Sequence, residues 1–107
     1  MRWTVQILNA VVAAEIEALP DDMRARLGRF VSLIQEIGFE ALPHDGVKHL
    51  EDKLWELRIT GRDGISRAIY ITASGRRVVI LHAFVKKTQK TPVKDLEIAR
   101  QRAKEVQ

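Results

Sequence analysis

Apolar residues recur along this chain with two periods, and the change from one to the other marks its architecture. Trp3, Val5 and Ile7 alternate with Thr4 and Gln6, which predicts a strand over 3–8. Asn9 then suits a helix N-cap, and Val12, Ile16 and Leu19 share one face of a short helix over 10–19. Pro20 begins a second helix, with Asp21 and Asp22 in the first turn, where the helix dipole favours negative charge. Met23, Leu27, Phe30, Val31, Ile34 and Ile37 continue it as a stripe of period near 3.6, and Gly38 is its expected stop.

Beyond Gly38 the helical period is lost. Residues 38–52 carry Pro43, His44, Asp45, Gly46 and His49 with little periodicity and read as a surface connection. A period of two then sets in. Over 54–59, Trp55, Leu57 and Ile59 share one face of a strand, and Glu56 and Arg58 the other. Gly61, Asp63 and Gly64 predict a turn, 65–72 a further strand, and Ala73-Ser74-Gly75 another turn. Val78 to Val85 is a short unbroken apolar run, as a buried strand requires. Three strands joined by tight turns make an antiparallel meander. Thr91 as N-cap and Pro92 at the first helical position open a closing helix, 93–106, with Leu96, Ala99 and Ala103 inward. The order β-α-α-β-β-β-α predicts one α+β domain over 1–107, its helices packed on one face of a mainly antiparallel four-stranded sheet.

Composition narrows the function classes. The 107 residues are 46% hydrophobic and 30% charged, a globular balance, and long enough for a single core. The absence of cysteine excludes disulfides, thiolate metal sites and a Cys nucleophile. Gln6, Asn9, Glu15 and Glu17 break the N-terminal apolar runs, so neither a signal peptide nor a membrane span is expected, and a cytoplasmic protein is. The net charge of +4 is unevenly spread. From Gly64 to Lys94 there is no Asp or Glu, while Arg67, Arg76, Arg77, Lys86, Lys87, Lys90 and Lys94 are present. That asymmetry points to an acidic partner, nucleic acid above all, although a solvated basic face has the same composition.

If the strands form a meander, Glu56, Arg58, Arg67 and the lysines after the last strand converge. RNA cleavage without a metal needs a base for the 2′-hydroxyl, cations for the charge on phosphorus and an acid for the leaving 5′-oxygen. Glu56 fits the first role, and Arg58 with Arg67 the second, through bidentate bonds to phosphate. Lys86 or Lys87 fits the third if its cationic neighbours lower its pKa. Lys86, Lys90, Arg76 and Arg77 are further candidates for RNA contact. The competing reading pairs Glu56 with Arg58 on a solvent-facing surface. His82, amid apolar residues, reads as a core side chain; Trp55 and Tyr70 read as packing. His44 and His49 lack the further ligands a metal site needs, so neither metal nor cofactor is expected.

The segments Lys48-His49-Leu50, Leu54-Trp55-Glu56-Leu57-Arg58-Ile59, Ser66-Arg67-Ala68-Ile69-Tyr70 and Leu81-His82-Ala83-Phe84-Val85-Lys86-Lys87-Thr88-Gln89-Lys90-Thr91-Pro92 together resemble the RelE/HigB superfamily of toxins, most closely its phage-related, HigB-like branch. The resemblance implies a cytoplasmic mRNA interferase of a type II toxin-antitoxin system, cleaving transcripts commonly on the ribosome. It also implies a cognate antitoxin, often a helix-turn-helix (HigA-like) protein, through which alone operator DNA is contacted. By position Arg58, Arg67 and Lys87 match basic residues that bind or stabilise phosphate in that family, while Glu56 falls where members place either a base or a lysine. The chain departs from the pattern in having no tyrosine or histidine after the last strand to act as acid; Tyr70 comes too early. Two other classes remain: a non-catalytic nucleic-acid-binding or regulatory module of the same fold, and a structural or phage-assembly protein, against which the acid-free basic segment speaks.

Overall fold

A computed structural model describes residues 2–39, 46–86 and 90–106. The elements are β1 (Thr4–Ile7), α1 (Ala10–Glu17), α2 (Asp21–Ile37), β2 (Val47–Glu51), β3 (Leu54–Gly61), β4 (Gly64–Ala73), β5 (Arg77–Lys86) and α3 (Val93–Ala103). They form one five-stranded sheet in the order β1-β5-β4-β3-β2. The expected meander is β3-β4-β5, antiparallel throughout, and β1 lies parallel to β5 at one edge.

The fold class is α+β, as the alternating periods predict, but two expectations need correcting. The sheet has a fifth strand: β2 pairs antiparallel with β3 inside the stretch read as a connection. It is five residues long, has no clean alternation and shifts register between His49 and Glu51, so no periodic signal announces it. It exists because the chain reverses at Asp52, whose φ of 45° an aspartate tolerates, and so lies back along β3. The helices also do not share one face. Val12, Ile16, Leu19, Met23, Leu27 and Ile34 of the first two helical segments bury Leu57, Ile59, Ala68, Tyr70, Val78 and Ile80. Ala99 and Leu96 of α3 cover the other face, against Leu54, Ile69, Ile71, Val79 and Leu81.

Local signals account for the helices. Asn9 Oδ1 accepts from Val12 N–H (3.1 Å), capping α1, and Gly38, at φ 88°, ends α2. Asp22 does more than complement the helix dipole. Its Oδ2 accepts from Arg62 N–H at 2.6 Å, tying the β3–β4 hairpin to the start of α2, and that bond holds its carboxyl below the usual range. Gly61 lies so close to Met23 that an added Cβ would stand 2.6 Å from Met23 Cγ. Thr91 does not cap α3: the N-cap position falls on Pro92, and the Thr91 hydroxyl is used elsewhere.

An irregularity in β5 settles the place of His82. Ile69 pairs with His82 but Tyr70 with Ile80, so Leu81 is an extra residue on β5. Strict alternation is therefore broken here; Ile80 faces α1 and α2, while Leu81, His82 and Phe84 face α3. His82 is buried, with Nδ1 2.9 Å from Glu15 Oε1 and Nε2 2.7 Å from Asp95 Oδ1. Glu15 also accepts from Ala83 N–H (3.1 Å) and from Arg102 (2.9 Å), and Arg102 donates to Leu81 C=O (2.8 Å). These bonds satisfy backbone groups of β5 past the point where β1 ends, and they clamp α1 to α3. Burial pushes the Glu15 carboxyl up, but the bonds from Arg102, His82 and Ala83 outweigh it and hold the carboxyl below its ordinary value. The reading of His82 as a core residue is borne out.

Candidate nucleic-acid cleft

The α3-facing side of the sheet is not covered along its whole length. α3 packs against Leu54, Ile69, Ile71, Val79 and Leu81, and the Arg58 and Lys86 end of that face, here called the cleft, lies beyond those contacts. Register fixes its contents. Glu56 stands opposite Ile69 on one side and Lys48 on the other; Arg58 stands opposite Arg67, and Arg67 opposite Phe84. Glu56, Arg58, Arg67 and Lys86 therefore point to one face, as expected from strand spacing.

Glu56 and Arg67 do not sit open on that face. Their side chains are only 3% and 5% exposed, and Arg67 Nη1 donates to Glu56 Oε1 across the diagonal of the β3–β4 ladder. The Thr91 hydroxyl donates to Glu56 Oε2, and Arg67 Nη1 also lies 3.1 Å from Thr91 Oγ1. Both carboxylate oxygens are thus engaged. The alternative pairing of Glu56 with Arg58 on a solvent-facing surface is not formed: Arg58 is exposed and Glu56 buried, because Arg67 arrives from the neighbouring strand.

Lys86, half exposed, lies beside this pair. Partial desolvation, then the charges of Arg67 and Arg58, push its ammonium below the usual lysine value, with Lys48 adding to the effect and Glu56 opposing it. The direction is the one a lysine acid needs, with partial burial its largest cause and the cationic neighbours adding to it. Lys87 lies outside the described residues. Lys90 is exposed one position before Thr91 and extends the basic rim. Arg76 and Arg77 are not brought to the cleft; they lie at the opposite end of β5, a strand length of about 30 Å from Lys86. Arg77 there bonds Gln6 and Ser74 C=O.

Two members of the cleft escaped the sequence reading. Lys48 fell in the stretch taken for a connection, and only the pairing of β2 brings it opposite Glu56. Thr91 was assigned to the helix cap; no sequence signal links it to Glu56, 35 residues away. Tyr70 is excluded as an acid by position as well as order. It is buried on the opposite face against Phe30 and Phe39, its hydroxyl has no partner among the described residues, and burial pushes its pKa up. No group of three potential metal ligands occurs among the described residues, and none of their helices is long and apolar enough to cross a membrane.

A three-helix α+β domain with a mixed sheet and a basic cleft on the α3 side has the fold of the RelE toxins. Over the full length of both chains it superposes on a double mutant of E. coli toxin RelE in the free state, with a TM-score of 0.60 at 13% identity. It also matches RelE from the RelE-RelB complex of Pyrococcus horikoshii OT3, with a TM-score of 0.54 at 21% identity, covering 79% of this chain and 96% of that one. Residues 14–104 match the family of phage-derived Gp49-like proteins (DUF891), a RelE/HigB-like toxin family, and the chain belongs to it. No curated protein matches the sequence.

Proposed function

We propose that this protein is the toxin of a type II toxin-antitoxin system and acts as an endoribonuclease on mRNA, in association with the ribosome. The observation that carries the reading is the convergence of Lys48, Arg58 and Lys86 around the buried Glu56–Arg67 pair, on a Gp49-like chain with the RelE fold. Arg58 and Lys48 are exposed and meet phosphate oxygens, neutralising the charge that grows on phosphorus as the 2′-oxygen attacks. Lys86 delivers the proton to the leaving 5′-oxygen, a transfer favoured by its lowered pKa. The 2′-hydroxyl gives its proton to solvent water, the 2′-O–P bond forms as the P–O5′ bond breaks, and Lys86 protonates the leaving oxygen, giving a 2′,3′-cyclic phosphate and a 5′-hydroxyl with no metal in the step. Glu56, engaged on both oxygens, holds Arg67 in place below the cleft floor in this conformation, so its sequence-based role as base passes to positioning. Lys87 and Lys90 extend the RNA contact past β5. The P. horikoshii complex, in which a RelE is bound to RelB, supports a cognate antitoxin here, and we take that partner to be a helix-turn-helix (HigA-like) protein.

One observation favours a second reading. With Glu56 buried and bonded, the cleft holds no free carboxylate among its named residues, as suits a nucleic-acid-binding module without catalysis. Induction in a bacterial host separates the two. The toxin reading expects growth arrest by the wild type, relief by a co-expressed neighbouring antitoxin, and loss of arrest in Arg58→Ala/Lys86→Ala. Full arrest by that double variant would remove the cleft from the mechanism.

A further inference from the structure

β3 outruns its neighbour. β2 begins at Val47, opposite Leu57, and Arg58 N–H donates to Gly46 C=O; from there to Gly61 no described strand lies beside β3 on its β2 side. The β3–β4 hairpin closes on the Gly61–Gly64 pair, and in an antiparallel ladder alternate residues bond to opposite sides. Thr60 therefore turns its backbone N–H and C=O away from β4, toward a space that no strand among the described residues fills. That space is a cavity of about 490 Å³ between the β3 edge and α2, lined by Arg26, Phe30, Gly46, Arg58 and Thr60 among others.

Among the described residues the cations of this cavity form no ion pair. Arg24, two residues before Arg26, bonds Asp21 (2.7 Å) and the Glu17 carbonyl (2.9 Å). Arg26 is exposed and has no ion-pair partner among the described residues, and no Asp or Glu is among the described residues that line the cavity. Phe30 follows Arg26 by four residues and so stands beside it on the same flank of α2, its ring half buried. A guanidinium, an aromatic ring and an outward backbone donor are what single-stranded nucleic acid uses: charge for the phosphate, a ring face or edge for the base. Arg58 joins the two places, because it lines the cavity and its charge also bears on Lys86 in the cleft.

We infer that this cavity is a second nucleotide subsite, seating single-stranded RNA that has passed over the β3 edge from the cleft, with Arg26 on its phosphate and Phe30 against its base. The inference rests on the RNA reading of the cleft. It assigns Arg26 a part in affinity for longer strands and none in the chemistry.

The test is fluorescence anisotropy with labelled, fully 2′-O-methylated oligoribonucleotides of three and eight nucleotides, which bind without being cleaved. Wild-type protein is compared with Arg26→Ala across a salt series. Arg26→Ala is expected to bind the eight-mer roughly tenfold more weakly, the worth of one charge-assisted contact. Its log affinity against log salt should flatten by about 0.7, one phosphate fewer, while trimer binding is unchanged. Wild-type affinity and slope for the eight-mer in Arg26→Ala, with both proteins binding RNA, overturns the subsite alone. Wild-type protein that binds neither length overturns the RNA reading of the cleft and the subsite with it.

Discussion

Replacing Arg67 by methionine removes the partner of a carboxylate that has nowhere else to go. Glu56 and Arg67 are 3% and 5% exposed, so neither charge is relaxed by solvent once the other is gone. Breaking a buried pair in this way costs about 3–5 kcal/mol, against about 0.2–1 kcal/mol for an exposed pair. A domain of this size has only about 5–15 kcal/mol of stability in total, so Arg67→Met should lie near the edge of folding. Arg24→Ala serves as the control: its ion pair with Asp21 has side chains 37% and 94% exposed and should cost no more than about 1 kcal/mol. Replacing both partners, Glu56→Leu with Arg67→Met, should recover much of the loss, because no unpaired charge then remains. Urea unfolding followed by circular dichroism measures the wild type, Arg67→Met, Glu56→Leu, the double variant and Arg24→Ala, with the slope against urea checked for constancy. An Arg67→Met loss no larger than that of Arg24→Ala, or a double variant worse than the sum of its singles, would refute the buried-pair account.

Other outcomes follow from the same geometry. Arg58→Ala, Lys86→Ala and Lys48→Ala, at exposed or half-exposed positions, should each stay within about 0.5 kcal/mol of wild-type stability, by urea unfolding, while losing RNA cleavage in a gel assay. Stability should fall in acid. Glu15 has a folded pKa below its unfolded value of 4.5, so the unfolded chain takes up the proton first; its contribution is complete above pH 4.5 and is lost as pH falls through the folded value. Glu15→Gln should therefore show a shallower decline than wild type in thermal melts below pH 4.5. Gly61→Ala should cost about 1–3 kcal/mol by urea unfolding, because its Cβ meets Met23 and Asp22 unless Met23 shifts.

The elements with a clear period were legible before the fold was known. Val12, Ile16 and Leu19, the stripe from Met23 to Ile34, and the alternation of Leu57 and Ile59 against Glu56 and Arg58 all landed as their spacing required. What failed was decided by partners distant in sequence. β2 is a strand only because β3 offers it an edge, and its mixed residues carry no period of their own. α3 took the opposite face because the sheet has two apolar faces: Leu54, Ile69, Ile71, Val79 and Leu81 needed cover that α1 and α2 do not supply. A bulge, invisible to parity counting, sets the face on which His82 lies.

The site was legible to the same extent. Strand spacing placed Glu56, Arg58 and Arg67 on one face and Lys86 at its rim. It gave no sign that Arg67 would bury itself against Glu56, that Thr91 would reach back to the same carboxylate, or that Arg76 and Arg77 would end up at the far end of the strand. Charge composition groups residues by sequence segment, whereas an extended strand separates its two ends.

The most direct test of the central claim is to incubate purified protein with mRNA on translating ribosomes in magnesium buffer and, separately, with free mRNA in EDTA, and to analyse the new 3′ ends. The account predicts cleavage that leaves 2′,3′-cyclic phosphate ends and disappears in Arg58→Ala/Lys86→Ala. RNA that is bound but left intact under both conditions would contradict it.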